Sequence, residues 1–202
     1  IIPFSTLTYF LIIASFRHLA LPCLTYNIQN TMRTVGTKIS SFITRQYGMN
    51  SLSEDHVINA SNLVIERILK LPDYQSSEVV GSYFGVRGEI DPSSLLSFSE
   101  PRHAFPVIQS DGKLSFIIPD GPLKNGPYGI PEPVLGLKVK PRNLDMVLVP
   151  LVAADLSGNR IGHGAGFYDK TFSFHSSEGS PCLVGLAHEF QIVPSLNPEP
   201  WD

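Results

Sequence analysis

From Ser53 onward, apolar residues recur with a helical period and then gather into short unbroken runs. Val57, Ala60, Val64, Ile68 and Leu71 share one face behind a Ser53 cap and an acidic first turn, Glu54 and Asp55. This spacing predicts a packing helix that Pro72 ends. Strands are predicted over Glu78 to Phe84, Ala104 to Ile108, Leu114 to Ile118 and Cys182 to Ala187. Short helices are predicted over Pro92 to Phe98 and Phe167 to Phe174. The longest apolar run, Met146 to Ala154, is broken only by Pro150 and reads as a strand buried on both faces. Pro119 to Pro133, rich in proline and glycine, reads as a stiff surface loop. Strands alternating with helices argue for a layered α/β domain with a mainly parallel sheet.

The first 53 residues break this pattern. They hold no Asp or Glu, while Arg17, Arg33, Lys38 and Arg45 are scattered among many Ser and Thr. The apolar opening, Ile1 to Phe16, is shorter than the roughly 20 residues of a membrane span. Three readings stay open: a transit-like leader, a fragment or mis-started frame with Met32 or Met49 as the start, and a transmembrane anchor.

Composition narrows the function. A chain of 202 residues, 43% hydrophobic, suits one globular domain with a sizeable core. A net charge of −3 gives a nucleic-acid partner no basic footing. Cys23 and Cys182 form neither a disulfide framework nor a zinc pattern, so a reducing compartment is expected.

The chemistry gathers after the long apolar run. A polar turn of Asp155, Ser157, Gly158 and Asn159 leads to Arg160, and glycines follow at Gly162, Gly164 and Gly166, before Phe167, Tyr168 and Asp169. Without side chains in the way, backbone N–H groups can approach a phosphate there, next to a helix N-terminus. The loop is neither a P-loop nor a full dinucleotide fingerprint. A glycine-rich turn needed only for backbone geometry is the competing reading.

The wording of this stretch, G-N-R-I-G-H-G-A-G-F-Y-D, resembles the signature of the 5-formyltetrahydrofolate cyclo-ligase family. Three further segments support the resemblance. Gly88-Glu89-Ile90-Asp91 matches the family's G-E-[IV]-D; Tyr128 to Pro133 matches [YF]-G-I-x-E-P; Ala187 to Gln191 matches the start of its closing segment. The resemblance implies a single three-layer, Rossmann-like α/β domain over residues 49–202, with residues 1–48 an atypical leader and the C-terminus cut short. Its implied reaction joins ATP and 5-formyltetrahydrofolate, giving ADP, phosphate and 5,10-methenyltetrahydrofolate.

The roles that follow are implied by the resemblance. Arg160 and the loop from Gly162 through His163, Gly164, Ala165, Gly166 and Phe167 to Tyr168 would hold ATP, with Arg160 as a clamp. Glu89 would orient the folate, Tyr128 would wall the pterin, and Tyr168 would hydrogen-bond the formyl group or a phosphate. Asp169 and Asp202 would bind Mg²⁺, with Asp155 as a third carboxylate that turn chemistry explains equally well. Many family members carry Lys or Arg where this chain has His163 and Ala165. His163 therefore reads either as a pH-dependent phosphate contact or as an incidental loop residue. Lys38 and Arg45 are the nearest basic residues for the family's N-terminal ATP contacts, and their spacing differs. A monomer is expected, located in the cytoplasm, or in the mitochondrial matrix if the leader is genuine; neither a membrane nor a nucleic-acid partner is expected. The alternatives are a non-catalytic folate- or nucleotide-binding relative, and a sugar-phosphate isomerase or CoA-transferase-like enzyme.

Overall fold

The computed structural model describes residues 7–14, 26–28, 49–156, 158–175 and 181–196. Asp202 and most of the N-terminal segment lie outside these described residues, as do the anchor, transit and fragment readings of that segment. In chain order the elements are β1 (Leu7–Ala14), β2 (Tyr26–Ile28), α1 (Glu54–Ile68), α2 (Pro72–Gln75) and β3 (Val79–Gly81). Then come β4 (Arg102–Ile108), β5 (Leu114–Pro119), β6 (Leu123–Asn125), β7 (Pro131–Pro133), β8 (Gly136–Val139) and β9 (Met146–Pro150). The order closes with β10 (Ala153–Asp155), β11 (Arg160–Ile161), α3 (Phe167–Thr171), β12 (Cys182–His188) and β13 (Ile192–Val193).

Eight strands form one sheet in the order β2-β1-β12-β9-β3-β4-β5-β8. Neighbours from β1 through β12, β9 and β3 to β4 pair in parallel, and the hairpin strands β5 and β8 continue the sheet antiparallel. The expected mainly parallel α/β sheet is therefore present. β3, β9 and β12 all end on the same side, where open α/β sheets place ligands.

Burial explains the unbroken apolar runs. Along β9, Met146 and Leu148 face a core shared with Ala60, Val64 and Ile68 of α1. Val147 and Val149 face the other side, with Phe116 and Phe172. Both faces of the strand are covered, so alternation is absent. The α1 cap forms as its sequence implies, the Ser53 hydroxyl accepting the His56 N–H at 3.2 Å.

Several expected boundaries move. The run Met146 to Ala154 is two strands: β9 stops at Pro150, which has no N–H to donate. β10 then joins a separate three-stranded sheet, β11-β10-β13. Only Val79–Gly81 of the apolar stretch from Glu78 to Phe84 is strand, because the chain turns off into a loop immediately afterwards. α1 ends at Ile68, short of Leu71 and Pro72; Leu71 instead caps α2, which Pro72 opens, since a first-turn proline loses no hydrogen bond. The stretch from Pro119 to Pro133, expected as loop throughout, contains the β6–β7 hairpin. β8 was not foreseen, because its four residues lie mostly exposed at a sheet edge and are too few to show a period.

A buried histidine gives this core an acid limit. His103 in β4 meets the Tyr74 hydroxyl through Nε2 at 3.0 Å, and its Nδ1 has no hydrogen-bond partner. Burial drives its pKa down to about 4 from the usual 6.5. Between those values the unfolded chain binds the proton and the folded one does not. Its contribution to stability is therefore lost as pH falls below 6.5, by about 3 kcal/mol at most. Urea unfolding at pH 7 and pH 4.5 should show the stability difference between His103→Gln and the wild type shifting toward the variant by about that amount at the lower pH.

Candidate active site

The loop that leaves β3 is braced from every side. The Asp91 carboxylate accepts the N–H groups of Gly85 at 3.1 Å and Ser93 at 3.0 Å, an Asx-type turn. The Asp91 N–H itself donates to Ser61 of α1 at 2.9 Å, and the Tyr83 hydroxyl donates to the Ile90 carbonyl at 2.8 Å. At the end of β12, His188 Nε2 lies 2.8 Å from the Gly88 carbonyl. His188 is held in turn by Gln191, which accepts its N–H at 2.7 Å and donates to the Leu151 and Val152 carbonyls. The three strand ends are thereby tied to one short loop.

Glu89 is the residue this bracing presents. It is buried, with only 6% of its surface exposed, and Oε2 accepts the Val86 N–H at 3.1 Å. Burial pushes its carboxyl up to about 7, with Asp91 adding to the rise; the Val86 hydrogen bond and the Arg87 charge oppose it. A buried carboxyl with its pKa raised toward neutrality, set against a glycine-rich loop, makes Glu89 a candidate acid–base group.

The glycine loop faces it. Gly164 and Gly166 have positive φ, 91° and 65°, which a side chain would strain. A Cβ at Gly162 would meet the Arg160 guanidinium at 3.4 Å, so the absence of side chains leaves that cation standing against the loop. These features suit an anion. The helix that follows is only five residues, shorter than expected, so its dipole adds little and the loop and Arg160 carry the charge. Arg160 is mostly buried and bonds Asp169 at 2.5 Å, and Asp169 remains exposed.

Tyr168 links the two loops. It stacks on Phe172 with ring centroids 6.3 Å apart. Burial raises its pKa, the Glu89 charge raises it further, and Arg160 opposes, so the hydroxyl stays protonated and available as a donor. His163 Nδ1 stands 3.5 Å from Glu89 Oε1. Tyr128 is 69% exposed and approaches Phe167, ring centroids 6.5 Å apart, which puts it on the rim.

Most of the residues singled out from sequence thus come together: Glu89, Arg160, the glycine loop with His163 and Ala165, Phe167, Tyr168 and Asp169, with Tyr128 at the edge. Asp155 does not join them. Its buried carboxylate accepts from the Asn159 backbone and side chain and from the Leu196 N–H, which is turn and tail chemistry. Sequence reasoning gave no bracing role to Asp91, which it knew only as part of the G-E-I-D wording, nor to Tyr83 and His188. Only the A-H-E-x-Q wording hinted at His188. Among the described residues no three His, Cys, Asp or Glu side chains gather as a metal cage, and no helix is long and apolar enough to cross a membrane.

A parallel-sheet α/β body whose strand ends bring a buried carboxyl against a glycine-rich loop is an arrangement that small-molecule enzymes use. Residues 45–202 match the model of the 5-formyltetrahydrofolate cyclo-ligase family. A 5-formyltetrahydrofolate cyclo-ligase of Haemophilus influenzae is 36% identical over 152 residues, covering 71% of this chain and 81% of its own. One from Escherichia coli K12 is 34% identical over 146 residues, covering 67% and 79%. The NMR structure of an Aquifex aeolicus 5,10-methenyltetrahydrofolate synthetase superposes with a TM-score of 0.70 at 29% identity, covering 84% of this chain and 86% of that one. A Mycoplasma pneumoniae synthetase shares the fold with a TM-score of 0.63 at 19% identity. The chain belongs to the 5-formyltetrahydrofolate cyclo-ligase family, ligases of folate one-carbon metabolism.

Proposed function

We propose that the protein cyclises 5-formyltetrahydrofolate to 5,10-methenyltetrahydrofolate at the expense of ATP, in a single three-layer, Rossmann-like domain of residues 49–202. The observation that carries this reading is the meeting of a buried Glu89, titrating near 7, with the glycine loop at His163. A folate amine and a phosphate group would then lie side by side, as joining them requires.

The loop N–H groups from Gly162 to Gly166 hold phosphate oxygens, and Arg160 turns from Asp169 toward them as a bidentate clamp. Mg²⁺, when bound, neutralises charge on the transferring phosphoryl group. Asp169 would hold it, with Asp202 as the further carboxylate. The formyl oxygen takes the phosphoryl group, and Tyr168 donates to that oxygen. Glu89 accepts a hydrogen bond from the ring-closing amine, orients its lone pair and takes that proton as the C–N bond forms and the C–O bond to phosphate breaks. Tyr128 covers the pterin from the rim.

We place the enzyme in the cytoplasm, or in the mitochondrial matrix if the N-terminal segment is a leader, acting as a monomer on free or polyglutamylated folate. Tyr168→Phe removes one donor and keeps the ring on Phe172. Turnover should fall on the order of 100-fold, with the melting temperature nearly unchanged. The function is tested by phosphate release: it should require folate and ATP together, in equal amounts with ADP. Release with ATP alone would contradict the coupling.

A further inference from the structure

Two loops distant in the chain meet where the His163 imidazole faces the Glu89 carboxyl. We propose that these two side chains share one proton and couple the two ligand sites. A phosphate arriving in the glycine loop draws the proton onto His163 and leaves Glu89 ionised to receive the folate amine. This coupling rests on the assignment of phosphate to the glycine loop and of folate to Glu89 under the proposed function.

The geometry restricts what Glu89 can do. Oε2 is engaged by the Val86 N–H at 3.1 Å, and Oε1 is the oxygen turned to His163 Nδ1, 3.5 Å away. Four other groups bear on the pair. Arg87 and Asp91 come from the Glu89 loop, Tyr83 from the end of β3 and Tyr168 from α3, with Arg160 acting on Tyr168. Without ligand, burial holds the Glu89 carboxyl up, while the His163 imidazole, 42% exposed and only partly shielded from water, is shifted down with help from Arg87. Below about pH 7 the pair therefore carries one proton, resting on Glu89.

His163 lies between Gly162 and Gly164, inside the stretch whose missing side chains make room for an anion. A phosphate there stabilises imidazolium, so it favours the other arrangement of the same proton. The Oε1–H bond breaks and the Nδ1–H bond forms, with no net proton uptake. A carboxylate accepts from an amine N–H, whereas the carboxylic acid would offer a competing O–H. Phosphate binding thus prepares the folate contact, and by linkage folate binding strengthens the hold on phosphate. A titrating group at this position can hand its charge across; a fixed cation could not.

The test follows both titrations by NMR in protein labelled with ¹³C and ¹⁵N, free and saturated with Mg²⁺ and a β,γ-imido ATP analogue. Binding should raise the His163 midpoint by about one unit or more and lower that of Glu89 by a comparable amount. In His163→Gln, a non-titrating donor, the analogue should still bind while the Glu89 midpoint stays where it is. Binding that leaves both wild-type midpoints unmoved overturns the coupling alone. An equal fall at Glu89 in His163→Gln assigns the effect to phosphate directly and removes His163 from it. Failure of the analogue to bind overturns the phosphate assignment and the coupling with it. The wild-type titrations decide the matter even if the variant does not fold.

Discussion

Glu89→Gln should lower turnover on the order of 100-fold or more while making the protein more stable above neutral pH. The opposite signs come from one cause. In the folded protein the Glu89 carboxyl titrates near 7, against an ordinary 4.5, because it is buried. A group whose pKa is raised on folding holds its proton more tightly in the native state. Its stabilising contribution is complete below pH 4.5 and is lost as pH rises through 7. By pH 8 the wild type carries a buried charge at a cost of up to about 3 kcal/mol. Gln keeps the shape and the acceptor for the Val86 N–H but never ionises. It escapes the cost and cannot present a carboxylate to the amine. Urea unfolding at pH 5 and pH 8, beside steady-state rates, separates the two effects. A variant equally active, or less stable at pH 8, would show that Glu89 is not the carboxylate that orients the amine.

Gly88→Ala should be among the most damaging single-methyl changes at the described residues. Gly88 has a φ of 83°, and a Cβ there would stand 2.1 Å from the Met49 carbonyl oxygen. Neither backbone gives way easily. Met49 is buried beside Gln191, and Gly88 is held by His188 through its own carbonyl. Positive φ and a backbone overlap together should cost roughly 3 kcal/mol or more. Because the loop must shift, Glu89 moves with it, and activity falls even below the unfolding midpoint. Gly129→Ala is the comparison. It shares a positive φ of 74° but has nothing within 4 Å of the added carbon. It should cost only about 1 kcal/mol and leave activity intact. Thermal unfolding of both variants checks the difference; equal losses would show that strain alone, not the Met49 contact, makes the glycine necessary.

What could be read in advance follows from how local each feature is. α1 was legible because its cap, first turn and buried face lie within one 15-residue segment. The two-sided burial of β9 was legible because a short, unbroken apolar run between turn residues leaves no face for water. Glu89 and the glycine loop were legible through the wording of their motifs, and the fold then placed them together. The meeting of His163 with Glu89 was not, since neither loop records which groups will oppose it. His188 was hidden for the same reason, its partner Gly88 being 100 residues away. β6, β7 and β8 have three or four residues each, too few for a period to show. Asp155 could serve a turn or a metal as far as its neighbours told; the structure shows its carboxylate accepting from Asn159 and, 41 residues on, from the Leu196 N–H, which no neighbour announces.

Everything proposed for this site depends on its coupling ATP to ring closure on 5-formyltetrahydrofolate. The most direct measurement mixes purified protein with that folate and Mg·ATP and follows the ultraviolet absorbance of the methenyl product, beside a control without ATP. Product should accumulate only with ATP and disappear with Glu89→Gln. Folate that binds and never cyclises, at any ATP concentration, would contradict the coupling.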